Sequence, residues 1–280
     1  MRTIGRQLRG RIFKYVPLTF KHRVYGLLRL IYDYSRLTLE LVLVNVTRRT
    51  TTTKACHMLV CQKQEYVSIS KFAISSFLYF NKDYTIILHT DKILKNKCDA
   101  LARFFPNTRL SVLQDIPDEG YPYELKGLLI LGLQGTSDLF LDVDTRTNGT
   151  LPDIYSPLTL VAEFKMSDNV NFRQILSEMS LEGYENFYLL NVSIFCWAGK
   201  HFGIERQDFI NWSQAYMNIK WESFLNSDQI PYFKRFVEQV FFSLQLQKGE
   251  IQLLKENDHV GDKGIVECSY FGASGYRFGR

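Results

Sequence analysis

From Ala55 to Leu113, short apolar runs of strand length alternate with segments of helical spacing, and no other feature of the chain limits its fold as strongly. Cys56-His57-Met58-Leu59-Val60-Cys61 reads as a buried strand, and Ile69 to Phe80 carries apolar residues at helical intervals. Tyr84 to Leu88 reads as a second strand that ends in the polar His89-Thr90-Asp91. A helix through Leu101 to Phe105 and a third strand at Arg109 to Leu113 follow. A βαβαβ order predicts an α/β fold with a mostly parallel central sheet and helices on both faces. Ligands of such sheets collect at the carboxyl ends of the strands. With 280 residues, 46% of them hydrophobic, the chain has enough apolar mass for one large core.

Charge separates the amino-terminal segment from the rest. Residues 1 to 49 hold 11 Lys/Arg against two Asp/Glu, a net +9, whereas the whole chain is +5, so the remainder is acidic. Between Val24 and Val46, Arg29, Asp33, Arg36 and Glu40 recur at steps of four, three and four among Leu, Ile, Val and Tyr. That spacing predicts an amphipathic helix of about six turns with its charges on one face. Arg2, Arg6 and Arg9 repeat the interval upstream, so this basic segment, residues 1–46, would suit an anionic membrane surface or would pack on the main domain. Thr50 to Thr53 mark a linker, dividing a basic helical segment, 1–53, from the main domain, 54–280. No window reaches the ~20 apolar residues of a membrane span, and no signal-peptide core is present. The five cysteines lack a metal or redox spacing and read as reduced, buried thiols. The expected location is cytoplasmic, peripheral on the inner face of the membrane if the basic segment binds lipid.

Ser137-Asp138-Leu139-Phe140-Leu141-Asp142-Val143-Asp144 is an apolar strand that finishes in two carboxylates. On an extended backbone the side chains of Asp142 and Asp144 point to one side, where both address a single hard cation such as Mn2+ or Mg2+. Such an ion would neutralise negative charge on a bound anionic ligand. The pair would close the fourth strand of the sheet, where a ligand is expected.

These segments together resemble the bacterial GT-A glycosyltransferases that carry a DxD motif. The likeness rests on the order of "CHMLVCQKQEYVSISKFAISSFLYF", "YTIILHTD", "FPNTRLSVL", "YPYELKGLLI" and "DLFLDVDTRTNGTLPDI", then "NFYLLNVSIFCWAG", "FVEQVFFSLQL" and the tail "CSYFGASGYRFGR". It implies a GT-A-like fold and transfer of a sugar from a UDP- or GDP-linked donor to a glycan or lipid-linked acceptor. It further implies that Asp142 and Asp144 hold Mn2+ or Mg2+, that Asp91 lies near the nucleoside and that Lys126 approaches phosphate or steadies the acidic cluster. Asn191 would line the sugar pocket, with Glu238 and Gln239 facing the reacting centre. In an inverting reaction Glu238 would be the general base; in a retaining one Gln239 or Asn191 would shape the donor face. The family often places a third metal ligand, a His, in the tail. Ser269 stands there, and the segment "HVGDKG" either is simply a polar turn or supplies His259 as the substitute ligand and Lys263 as a phosphate contact.

Two rival readings come from other classes. Pro152-Asp153, followed by Glu163-Phe164-Lys165, spells the PD…ExK pattern of a metal-dependent nuclease, although Asp153 follows a turn and no nucleic-acid partner is expected. A non-catalytic protein that kept the fold would bind nucleoside diphosphate without transfer.

Overall fold

The computed structural model describes residues 35–36, 38–40, 42–44, 54–105, 107–113, 122–181, 183–184, 186–247, 251–254 and 266–267. The thread of the fold is β1 (Lys54–Val60), α1 (Gln64–Phe80), β2 (Tyr84–Thr90), α2 (Lys95–Phe104), β3 (Thr108–Val112), α3 (Pro122–Gly132) and β4 (Leu139–Leu141). β5 (Arg146–Thr147), β6 (Leu158–Lys165), α4 (Val170–Glu178), β7 (Tyr188–Cys196) and α5 (Arg206–Met217) follow. α6 (Ile230–Lys234), α7 (Val237–Leu246), β8 (Gln252–Leu254) and β9 (Val266–Glu267) complete it.

Seven strands form one sheet in the order β3-β2-β1-β4-β7-β6-β8, and β5 pairs with β9 in a separate ribbon. β1, β2, β3 and β4 run parallel to one another, as does β8 to β6, while β7 is antiparallel to both β4 and β6. The sheet is therefore mixed and mostly parallel, as the alternation of elements predicts. The central strands are apolar on both faces because helices cover both. On one face Cys56, Met58, Val60, Ile86, Leu88, Leu139 and Leu141 pack against Ala73, Ile74 and Phe77 of α1 and Leu101 of α2. On the other, Phe140, Val192 and Trp197 pack against Ile130 of α3, Phe209 of α5 and Phe241 and Phe242 of α7. Gly127 sets how closely α3 meets α5: a Cβ there would lie 2.2 Å from Cζ of Phe209.

Three sequence expectations change in detail. β2 continues through His89 and Thr90, so two residues of the polar cluster lie inside the strand and only Asp91 follows it. β4 stops at Leu141, and Thr145 N–H closes a turn onto the Asp142 carbonyl at 3.1 Å, so the acidic pair sits on a turn and not on extended backbone. The described residues between 35 and 44 are helical, as expected, but their charged face points inward. Arg36 and Glu40 do pair side by side, at 3.0 Å, yet Glu40 is buried against Arg146, 3.2 Å away. The helix has a partner for its charge in the domain, and spacing alone does not reveal which face that partner claims. The Thr50–Thr53 linker lies outside the described residues, and among the described residues no helix is long and apolar enough to cross a membrane.

Candidate functional site

A cavity of about 310 Å³ opens where β1 and β4 end, lined by Leu59, Cys61, Gln62, Lys63, Tyr66, Tyr123, Lys126, Phe140, Asp142, Val143, Asp144, Pro231 and Arg235. Its floor follows from the β4 register. Asp142 continues the strand's hydrogen bonding by donating its N–H to the Ser193 carbonyl at 2.7 Å, then the turn carries Asp144 back to the same wall.

The carboxylate of Asp142 accepts a hydrogen bond from Lys126 Nζ at 2.7 Å, and the same ammonium lies 3.3 Å from Glu238 Oε1. Lys126 comes from α3 and Glu238 from the first turn of α7, so two helices on one face of the sheet meet the strand end here. Glu238 is wholly buried. Its 3.3 Å contact is an ion pair without hydrogen-bond alignment, which leaves both carboxylate oxygens without a hydrogen bond among the described residues. Burial pushes the pKa of Glu238 up to about 7, against the lowering influence of Lys126. Burial acts to depress Lys126, but Asp142 and Glu238 outweigh it and hold the ammonium protonated. Phe140 supplies a ring 5.6 Å beneath that ammonium.

Around this triad the lining is cationic and aromatic. Lys63 stands at the start of α1 and Arg235 follows α6. Burial raises the Tyr66 hydroxyl to about 12 and raises Tyr123 also, while the charge of Arg235 opposes both shifts, which places that guanidinium within electrostatic reach of the two rings. Cys61 is raised to about 12 by burial and by Asp91, so it lines the cavity as a thiol and not as a nucleophile. Gln62 adopts a left-handed backbone, φ 64°, uncommon for a residue with a side chain.

The remaining sequence candidates divide. Asp91 sits at the end of β2 with both carboxylate oxygens engaged, one accepting from Gln62 N–H at 2.6 Å and one from Leu94 N–H at 2.7 Å. It fixes the turn that carries Gln62 into the cavity wall and does not line the cavity itself. Asn191, in β7, accepts from Ser193 N–H at 3.0 Å, and neither it nor Gln239 lines this cavity. His259, Lys263 and Ser269 lie outside the described residues. Among the described residues no group of three or more His, Cys, Asp or Glu side chains is arranged around a common metal position. Asp142 and Asp144 nevertheless line one cavity, and their carboxylates are hard oxygen donors of the kind a divalent cation takes. The nuclease constellation is not assembled. Asp153 is exposed beside Gln252, at the Leu158 end of β6, and Lys165 pairs with Tyr188 at the other, roughly 20 Å of strand away.

Sequence reasoning missed Gln62, Lys63, Tyr66, Tyr123 and Arg235. The rule that ligands gather at strand ends points to Gln62 and Lys63, directly after β1. Nothing in the spacing joins Tyr66, Tyr123 and Arg235, which meet only in the fold.

No protein-family model matches the sequence, and no curated protein matches it. Among solved structures, the chain is similar to the galactosyltransferase LgtC crystallised with donor and acceptor sugar analogues, with 12% identity, a TM-score of 0.49 and coverage of 72% of this chain and 73% of that one. It is also similar to the glycosyltransferase GlyE of Streptococcus pneumoniae TIGR4, with 13% identity, a TM-score of 0.44 and coverage of 73% of this chain and 45% of that one.

Proposed function

We propose that the chain is a metal-dependent glycosyltransferase of the GT-A type that moves a sugar from a nucleotide-sugar donor to a hydroxyl of a glycan or lipid-linked acceptor. The observation that carries this reading is the acidic pair Asp142 and Asp144 on the wall of a cavity at the strand ends, with Asp142 braced by the buried ammonium of Lys126. Asp142 and Asp144 would hold Mn2+ or Mg2+, which when bound neutralises charge on the diphosphate. Lys63 and Arg235 add positive charge for the phosphates, and Tyr66 and Tyr123 offer aromatic faces to the base or the sugar.

Lys126 keeps the Asp142 carboxylate turned toward the cavity, and Glu238 keeps Lys126 in place. A general base must reach the acceptor hydroxyl. Glu238 is enclosed behind Lys126, so its geometry favours a positioning role over that of a base. In this reading Gln239 and Asn191 shape the donor side from α7 and β7 without touching the mouth of the cavity. Asp91 acts through the Gln62 turn.

A thermal-shift screen of UDP, GDP, ADP and CDP, each with and without Mn2+, tests the proposal. One uracil or guanine diphosphate should raise the melting temperature in the presence of the ion and do so much less without it. Absence of a shift with every diphosphate at millimolar concentration would remove the donor-site assignment.

A further inference from the structure

The helix that includes residues 35–44 is inverted relative to an ordinary surface helix. Glu40 and Val44, four residues apart and so on one face, are buried. Leu39, Val42 and Leu43, spaced three and four apart on the opposite side, are 59%, 52% and 36% exposed. Charge points inward and aliphatic side chains point to solvent. The inner face is well anchored: Glu40 Oε1 accepts from Arg36 Nε at 3.0 Å and from Arg146 Nη2 at 3.2 Å, and Arg146 also donates to Asn148 Oδ1 at 3.0 Å. With an uncompensated buried carboxylate costing more than an exposed leucine, this pairing holds the helix in its orientation and keeps the aliphatic strip outward.

We propose that Leu39, Val42 and Leu43 form a docking surface for an anionic lipid bilayer. The chemistry around the strip selects that occupant. Residues 1–34 carry eight Lys/Arg and one Asp, and Arg48-Arg49 follow the strip directly, so basic side chains bracket it in sequence. Aliphatic side chains flanked by cations match an interface in which acyl chains lie beneath anionic headgroups. A nucleic acid would use the cations and leave the aliphatic strip in water. A second copy of the chain would cover the strip but would bring two segments of net +9 together. The anchor also has a location. Arg146 is two residues beyond Asp144, so the bilayer-facing helix is tied to the turn that carries the acidic pair, and a lipid-linked acceptor would approach from the surface on which the helix rests.

The test uses the full chain and vesicles of phosphatidylcholine, alone or with about a third phosphatidylglycerol. Flotation should show binding to the anionic vesicles, reduced by high salt, and little to phosphatidylcholine. The triple variant Leu39→Ser, Val42→Ser, Leu43→Ser, changed only at solvent-facing positions, should bind about tenfold more weakly or less. Val42→Trp, examined separately, should show a blue shift and quenching by brominated lipid when anionic vesicles are added. Undiminished binding by the triple variant, or a Trp that stays in water, overturns the proposal. So does a wild-type dimer that the triple variant converts to monomer while vesicle binding persists, since the strip would then serve a second copy. Vesicle binding is read without any donor, so its outcome stands apart from the glycosyltransferase reading.

Discussion

β4 carries an acid at each end, and the two ends behave differently. Asp138, Phe140 and Asp142 alternate onto one face of the sheet. At the amino end, Asp138 Oδ2 lies 3.4 Å from His57 Nε2, and His57 Nδ1 lies 2.8 Å from His89 Nε2. At the carboxyl end, Asp142 meets Lys126 and, through it, Glu238. The first chain joins Asp138 to two imidazole rings that burial keeps uncharged. Donation from His57 to Asp138 and from His89 to His57 satisfies each contact with both rings uncharged, and leaves the buried His89 Nδ1 without a hydrogen bond among the described residues. Burial lowers the pKa of both histidines, His89 to about 4. The second chain is charged and opens on the cavity. The same strand thus meets uncharged imidazoles where the parallel sheet begins and a buried ammonium where it ends, which is where a ligand of such a sheet is expected.

Removing Lys126 should break this contrast most severely. Lys126→Met leaves Glu238 buried without its cation and should destabilise the protein by about 3–5 kcal/mol, measured by urea unfolding. Combining Lys126→Met with Glu238→Leu should restore most of that loss, because the charge left without a partner is then gone. A double variant no better than the single one would mean that Lys126 contributes packing rather than charge.

Acidity sharpens the comparison with a smaller effect, because the two chains respond to pH with opposite sign. His89 has a folded pKa of about 4, below the 6.5 of the free group, so the unfolded chain takes the proton first. Its contribution to stability is complete above pH 6.5 and is lost as pH falls toward 4. Glu238 is raised from 4.5 to about 7, so the folded chain holds the proton more tightly. The associated stability is complete below pH 4.5 and is lost as pH rises through 7. Unfolding free energy measured across this range should therefore show offsetting slopes in the wild type. His89→Gln should leave the decline toward neutral pH, and Glu238→Gln should leave the decline toward acid. Parallel pH profiles for the two variants would contradict the assignment.

Much of the amino-terminal half of the fold was legible because its strands and helices are local and apolar. Cys56 to Cys61, Tyr84 to Leu88 and Arg109 to Leu113 read as strands from their short apolar runs, and the structure ends the first at Val60 and the third at Val112; the acidic pair was found from its place after the fourth. The conformation of that pair was not legible, since the apolar run continues through Val143 while the backbone turns after Asp142. Nor was the inward direction of Glu40, whose partner Arg146 is 106 residues away. Asp91 was legible as a residue at a strand end, but its hydrogen bonds to Gln62 and Leu94 exist only once β1 and β2 are paired. The cationic and aromatic lining from Tyr66, Tyr123 and Arg235 joins three distant helical segments and has no local signature.

The central claim is that Asp142 and Asp144 address the donor. Steady-state turnover of the donor selected by the diphosphate screen, in the presence of Mn2+, tests it most directly with Asp142→Asn and Asp144→Asn, each checked for an unchanged melting temperature. Both variants should lose donor turnover by at least about a hundredfold, the scale on which catalytic charge stabilisation is lost. Turnover equal to the wild type in either variant, with the fold intact, would contradict the account.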